Sequence, residues 1–299
     1  MLPILIGLLA AGLACFLYAS LVERNWFVLR RHRVECLPAG ARPLRVLHIS
    51  DLHFRRRQRR KAEFLAHAAG TNPDLVVSTG DFLDESHSVD FTVEAVTCLK
   101  PAAGALFVLG SHDYYPSRPS NPFKYLRGPS DHRTMRNRKQ NPWPDLVAGL
   151  EARGWTMVLN RATRVEVEGF GSIDVVGLDD PHLLRHDLTV ASPRNGDGFR
   201  LAIVHSPDAA QALADLDYDL IVCGHTHGGQ LRIPGVGAIV TNCTLPRAQA
   251  RGVSRMGNAW LHVSAGLGTS AYSPFRFACR PEVCLLELVP KKDGATART

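Results

Sequence analysis

Short apolar runs recur along the chain, each closed by turn residues, and their length and composition predict strands. "LRVLHIS", "DLVVSTGD", "ALFVLGSHD", "LAIVHS" and "DLIVCGHTH" are a few β-branched or aliphatic residues long. Such runs read as strands buried on both faces. They place strands at 44–50, 74–80 and 105–110, with helical periodicity over about 58–70 and 89–99 between them. That alternation is the mark of βαβ units and a parallel sheet. A short helix at 145–153 follows, then "WTMVL", "RVEVEG" and "SIDVVGLDD", which suggest strands joined by tight turns, as in a second sheet. "QLRIPGVGAIV", "AWLHVSAG" and "VCLLELV" are again strand-like.

Three stretches depart from this rhythm. Leu2 to Val22 is apolar without a charge, about the length that a bilayer core requires of a helix. Trp26, Arg30, Arg31 and Arg33 follow it, and positive charge beside a span marks the cytoplasmic side. The expectation is a transmembrane anchor over 1–23 with its N-terminus outside and the remainder in the cytoplasm. A cleaved signal peptide would need a basic region ahead of the apolar run, and a lipoprotein box at Cys15 would need an aliphatic residue where Gly12 stands. Residues 24–43 read as a basic juxtamembrane segment and a Pro/Gly-rich linker, and 44–290 as one domain. Residues 114–144, with six prolines and "HRTMRNRK", read as a lid or an excursion, and 291–299 as a disordered tail.

Composition narrows the class. At 299 residues and 45% hydrophobic content the chain can bury a substantial core. A formal net charge of +7 favours acidic surfaces or substrates. Seven cysteines without CxxC spacing exclude a zinc ribbon and a dense disulfide framework. They read as reduced, mostly buried thiols, with a Cys279–Cys284 bridge as the one alternative.

The chemistry sits at the ends of the predicted strands. Asp51 and His53 ("SDLH"), Asp81 ("TGD"), His112 ("GSHD"), His205 ("VHS"), and His225 and His227 ("GHTH") each follow an apolar run directly. In an α/β sheet the strand ends at one rim carry the site. One His or Asp at a strand end means little, but this order and spacing together are specific. His48 and His262 lie inside strands and read as core or edge histidines. His32, His67, His87, His132, His182 and His186 have no such context and read as surface. "GLDDPHL" (177–183) follows a strand too, which makes Asp179, Asp180 and His182 candidates to touch the site, although turn chemistry explains its Asp-Asp-Pro equally well.

From Leu44 to Pro290 these motifs resemble the calcineurin-like metallophosphoesterases, and "CGHTHGGQLRIP" resembles their membrane-associated branch. The resemblance implies an α/β fold: a four-layer αββα sandwich of two mostly mixed sheets flanked by helices, with the metal site at strand C-terminal ends. It implies two divalent ions, and imidazole with carboxylate suits Mn, Fe or Zn. Asp51, His53 and His227 would hold the first, Asp81 would bridge, and His205 and His225 would hold the second. His112 would be the general acid, with Asp113 orienting it and Asp84 behind the ligands. The family's Asn ahead of this His is Ser111 here, a shorter and poorer neutral ligand. A weakened second metal, a recruited water, His112 as ligand, or a neighbouring side chain in its place all follow as options.

"RRRQRRK" (55–61) begins two residues after His53. Arg55, Arg56 and Arg57 are therefore candidates for gripping an anionic substrate or lipid headgroups, against the plainer reading of a solvated first helical turn. The leading expectation is a membrane-anchored phosphoesterase cleaving a phosphodiester or pyrophosphate, its substrate a phosphorylated small molecule or lipid such as a lipid-linked nucleotide. A non-catalytic scaffold, suggested by Ser111, and a nuclease, suggested by the basic balance, are the alternatives. The anchor and the lack of a recognisable nucleic-acid module argue against the nuclease.

Overall fold

The computed structural model describes residues 1–119 and 139–292. Helix α1 (Leu2–Leu17) continues through a π turn and a 3-10 turn as far as Asn25, and strand β1 (Val28–Leu37) follows it. Next come β2 (Leu44–Ile49), α2 (Arg59–Ala69), β3 (Leu75–Ser78), α3 (Val89–Val96) and β4 (Ala105–Phe107). After a one-turn helix α4 (Ser111–Tyr114), the chain resumes with α5 (Trp143–Glu151) and β5 (Trp155–Met157). The second half supplies β6 (Arg161–Val167), β7 (Gly171–Gly177), β8 (Arg200–Ile203), α6 (Ala210–Asp215) and β9 (Leu220–Cys223). A hairpin of β10 (Arg232–Ile233) and β11 (Gly237–Ala238), then β12 (Gly252–Met256), β13 (Ala259–Val263) and β14 (Glu282–Pro290), complete it.

Among the described residues, two six-stranded sheets form, in the orders β1-β14-β2-β3-β4-β5 and β12-β13-β9-β8-β7-β6. β2 through β5 are parallel, as are β7, β8, β9 and β13, while β14 runs against β2 and the β6 and β12 edges run antiparallel. The sheets pack face to face through Val46, Val77, Leu106 and Leu286 of the first and Val175, Leu201 and Val222 of the second. The first sheet's outer face is covered by α2, α3 and α5. On α2 the buried positions are Lys61, Leu65 and Ala68, the spacing of one helical stripe. Leu213 and Ala214 of α6 cover the second sheet. This is the four-layer αββα sandwich that the resemblance implied, and the central strands β3 and β9 are buried along their whole length because both their faces are covered.

The domain begins earlier than expected. Val28–Leu37, read from the sequence as juxtamembrane, is a sheet strand in parallel register with β14, from Val28 opposite Glu282 to Val34 opposite Leu288. Its arginines hid it: β1 is an edge strand, and charged outward residues are how natural sheets protect an edge. Arg30 and Arg31 pair with Glu282 and Glu287 of β14, while Val34, Cys36 and Leu37 are fully buried. The connection is thus only residues 38–43. All seven cysteines are free thiols. Most of the 114–144 stretch (residues 120–138) and the end of the 291–299 tail lie outside the described residues.

Candidate metal centre

Five loops converge at the carboxyl ends of β2, β3, β4, β8 and β9. Three overlapping groups result, each with its ligand atoms within 4.8 Å of one another: Asp51, His53 and His227; His53, Asp81 and His112; Asp51, Asp81 and His205. His225 joins them through His205, ring nitrogen to ring nitrogen at 3.3 Å. Residues separated by up to 176 positions in sequence therefore share one buried pocket, as the strand-end pattern predicted.

The backbone is bent to make this possible. Asp51, His53, Asp81, His225 and His227 all adopt positive φ, between 43° and 69°. This is a costly region for residues other than glycine and one that clusters at functional sites. Gly80, at φ 91°, turns the chain beside Gly110. Gly224 lies against Ser50 and the Asp51 carboxylate, leaving no room for a side chain.

Proton positions show that the pocket suits cations. His205 Nδ1 lies 2.7 Å from the Thr79 carbonyl, and His225 Nε2 lies 2.8 Å from the Asn242 carbonyl. A carbonyl only accepts, so both nitrogens carry the proton. His205 Nε2 and His225 Nδ1 then face each other across 3.3 Å, with the Asp81 carboxylate 3.4 Å from His205 Nε2. Although burial opposes it, Asp81, Asp180 and Asp51 hold His205 well above the usual imidazole value, so positive charge is favoured at this point. Ligating histidines are ordinarily oriented by such a bond from the far nitrogen. His53, fully buried, has no hydrogen-bond partner for either ring nitrogen. Burial and the neighbouring His205 press His225 down to about 4, and burial with His53 and Arg276 nearby holds His227 well below its usual value. Both therefore remain in the neutral, ligating form. Burial opposes ionisation of Asp81, yet His205 and His112 keep its carboxyl well below the usual range.

Around the ligands the expectations fare unevenly. Asp113 does not orient His112. Its two oxygens accept from the backbone N–H groups of Gly110, Asp81, Phe82 and Leu83, at 2.8–3.1 Å. It ties the β3 and β4 loops together, because adjacent side chains on a helical turn diverge. The His112 imidazole instead meets Ser117: Nδ1 lies 3.1 Å from its hydroxyl, which donates to Asp84 at 2.5 Å. Asp84 sits behind His53, 3.7 Å from Nδ1. Arg55 leans over the rim to within 3.7 Å of Asp84, whereas the side chains of Arg56 and Arg57 are exposed.

Ser111 is buried and donates to Asp180 Oδ2 at 2.5 Å. The Asp-Asp-Pro turn thus does both jobs the sequence allowed: Asp180 Oδ1 caps the turn at the His182 N–H, 2.9 Å away, while Oδ2 reaches the site. His182, read as surface, is buried with its ring centroid 4.7 Å from that of His225. Two further residues escaped the sequence reading. Lys61, the last of the basic run, turns inward and donates to the carbonyls of Leu52 and His53 at 2.6 and 3.3 Å, fixing the Asp51–His53 loop. Arg276, fully buried, donates to the carbonyls of Ala265, Gly266 and Gly268 and approaches His227 Nδ1 at 3.4 Å. Only the fold brings these together, so no local signal marked them.

Residues 44–229 match the calcineurin-like phosphoesterase family. The chain is 30% identical to phosphodiesterase YaeI of Escherichia coli K12 over 92% of its own length and 93% of that protein. It is 29% identical to the uncharacterized metallophosphoesterase YkoQ of Bacillus subtilis, covering 83% and 84%. It is 26% identical to the UDP-2,3-diacylglucosamine pyrophosphatase LpxG of Chlamydia muridarum, covering 94% and 95%. With this match spanning the strand-end ligands, the chain belongs to the calcineurin-like phosphoesterases, enzymes that hydrolyse phosphoester bonds at a dinuclear metal centre.

Proposed function

We propose that the chain is a membrane-anchored hydrolase that cleaves a phosphodiester or pyrophosphate linkage in an amphiphilic, lipid-borne substrate. The observation that carries the chemistry is the 3.3 Å approach of the His205 and His225 ring nitrogens, beside three overlapping carboxylate and imidazole groups. Asp51, His53 and His227 would hold one divalent ion, Asp81 would be shared, and His205, His225 and the Ser111 region would hold the other. Bound there, Mn, Fe or Zn would supply Lewis acidity and lower the pKa of a water to near neutrality.

The chain's own groups then divide the work. Lys61 and Asp113 hold the ligand loops in place, so that little reorganisation is needed. Because the Ser117 hydroxyl is committed to Asp84, the proton on the neutral His112 ring faces Ser117. Nε2 is then the atom left to exchange a proton with a departing oxygen or to bind an ion. Arg55 offers positive charge at the rim.

The location of substrate is argued from the N-terminal helix. Leu2–Asn25 is 24 residues long and contains an 18-residue window with a mean hydropathy of 2.3, enough to cross a bilayer. Its end is fastened to the segment that lines the site. Arg276 N donates to the Ala19 carbonyl at 3.0 Å, the Ala278 and Cys279 N–H groups bond the Glu23 carboxylate, and Tyr18 packs edge-on against Phe277. Phe277 also pairs with Leu231 and Arg232 at the root of the β10–β11 hairpin. Beyond residue 26, the large apolar side chains left exposed among the described residues are Leu184, Ile233, Val236, Ile239 and Tyr272. Three of these five are on that hairpin. A concentrated apolar patch beside an anchor fits a lipid surface.

The test is hydrolysis of bis-(p-nitrophenyl) phosphate by the full chain in detergent with Mn²⁺. Turnover that disappears in Asp81→Ala is expected, and turnover equal in wild type and variant would overturn the assignment of chemistry. Alkaline carbonate extraction tests the anchor, and release of intact protein into the soluble fraction would refute it.

A further inference from the structure

A second cluster of ligating atoms lies away from the dinuclear centre. His32 on β1, His262 on β13 and Cys284 on β14 each bring one ligating atom to within 4.8 Å of the other two. His262 and Cys284 are fully buried and His32 is half-buried, with the two imidazole centroids 5.3 Å apart. The sequence reading left His32 on the surface, but the strand register explains the meeting. Arg30 stands opposite Cys284, so His32, two residues on, shares the face of that thiol. His262 comes from the other sheet, so the cluster bridges the two.

A chain of hydrogen bonds fixes the proton on His262. The Ser50 hydroxyl donates to the Asp51 carboxyl oxygen Oδ2. Thr79 donates to Ser50 Oγ at 2.6 Å, which makes Thr79 Oγ1 the acceptor for His48 Nε2–H at 3.0 Å. Neutral His48 then has its lone pair on Nδ1, and His262 Nδ1–H donates to that atom at 2.9 Å. His262 Nε2 is left as a bare lone pair. It is buried with no hydrogen-bond partner, and so is His32 Nε2.

The three groups are thus near neighbours that make no hydrogen bonds to one another. A tetrahedral ion with Zn–N of about 2.0–2.1 Å and Zn–S of about 2.3 Å would hold its ligands about 3.3–3.8 Å apart. A modest contraction of the cluster reaches that spacing. We propose that His32, His262 and Cys284 form a third metal site, of zinc type, separate from the dinuclear centre. Two imidazoles and a thiolate are a borderline-soft set suited to Zn²⁺, and the half-buried side of His32 gives entry and leaves room for a solvent ligand. Binding breaks the Cys284 S–H bond, forms the metal–sulfur bond and releases the proton to solvent. The Glu282 carboxylate lies close by on β14, already bonded to Arg30 and Arg251, and supplies negative charge nearby. The ion would staple β1, the strand that follows the anchor, to β14 and across to β13.

Cobalt distinguishes this site from the other, because the ligands at the dinuclear centre are nitrogen and oxygen. Full-length protein titrated with Co²⁺ is expected to develop a thiolate-to-cobalt charge-transfer band in the near ultraviolet, its final intensity that of one thiolate–cobalt bond per chain. The band should persist in Asp81→Asn, be lost in Cys284→Ser, and need at least tenfold more Co²⁺ in His32→Gln. A cobalt-saturated wild type without the band overturns the proposal whether or not any variant folds. So does a band of full intensity in folded Cys284→Ser.

Discussion

His205 Nε2 and His225 Nδ1 face each other across 3.3 Å, and each ring donates its other N–H to a backbone carbonyl. Asp81 lies 3.4 Å from His205 Nε2 and, with Asp180 and Asp51, favours positive charge on that ring despite its burial. A divalent ion would supply that charge in place of the proton. Metal removal should therefore destabilise the protein as well as silence it. Ligand at about 100 times its Kd adds about 2.7 kcal/mol for each site. Chelated protein should melt several degrees lower, with the loss reversed by Mn²⁺ or Zn²⁺ and smaller in His205→Ala. Identical melting curves with and without chelator would contradict this.

Ser111 and Asp180 present the clearest local adaptation. A serine hydroxyl is a weak ligand, but donating its proton to a buried carboxylate raises the electron density on its oxygen. Asp180→Asn should loosen one of the two catalytic ions by about 10–100-fold, the usual effect of removing a partner behind a ligand. The other ion should be unaffected, which isothermal titration can resolve. Ser111→Asn, which restores an amide oxygen, should tighten the same ion. Equal loss at both sites would mean that Asp180 serves the fold alone.

What the sequence revealed and what it hid divide along one line. Asp51, His53, Asp81, His205, His225 and His227 were legible because each follows its strand directly, so local pattern and site coincide. Ser117, Asn242 and Lys61 were not, because their roles arise from contacts between segments, and Asp180 was marked only by the strand before it. Lys61 was hidden inside a basic run that looked solvated, and only the inward stripe of α2 sets it apart. Asp113 was misread for the opposite reason: adjacency in sequence suggested contact with His112, and the helical turn separates them. The β1 strand was masked by charges that pair with β14.

That misplaced boundary has a measurable consequence. A chain beginning at Arg42 lacks β1 and exposes the β14 edge, whereas one beginning at Trp26 keeps it. Burial of Val34 and Leu37 stabilises by about 1.5–3 kcal/mol each, a large part of a typical total of about 5–15 kcal/mol. The shorter chain should be insoluble or lack a cooperative melt, and the longer should fold. Comparable melting of the two would show that β1 adds nothing.

Glu282 gives the fold an acid-sensitive clamp. It accepts from Arg30 Nε at 2.6 Å, Arg251 Nε at 3.0 Å and the Ala265 N–H at 3.0 Å. Burial opposes its ionisation, but Arg251 with that N–H brings the carboxyl from 4.5 down to about 2. An acid with a depressed folded pKa contributes its full stabilisation above the unfolded value. It loses that stabilisation as pH falls through the folded one. The window is therefore pH 4.5 to 2, and the shift is on the order of 3 kcal/mol. Glu282→Gln should lower stability at pH 7 by roughly 3–5 kcal/mol, since two arginines lose their partner. It should also flatten the acid limb of a denaturation series, and an unchanged limb would assign the acid sensitivity elsewhere.

The β10–β11 hairpin offers the sharpest test of where substrate is met. Arg232 at its root donates to the Gly228 carbonyl at 2.8 Å, one residue from His227, so the hairpin and this candidate ligand form one unit. Val236 at its tip is 79% exposed and Ile233 is 49% exposed. In water alone such residues have no reason to be apolar, whereas at a lipid surface each removes its area from water. Ile233→Asp with Val236→Asp places two charges where headgroups and acyl chains meet. Both side chains point to solvent, so folding and the metal site should be undisturbed and bis-(p-nitrophenyl) phosphate should turn over at the wild-type rate. Hydrolysis of a diester presented in anionic vesicles should fall by at least tenfold, because burial of these two side chains is worth about 3 kcal/mol or more. The ratio of the two rates is the measurement. If both substrates lose rate together, the hairpin supports the site directly. If neither does, the bilayer is met by the helix alone.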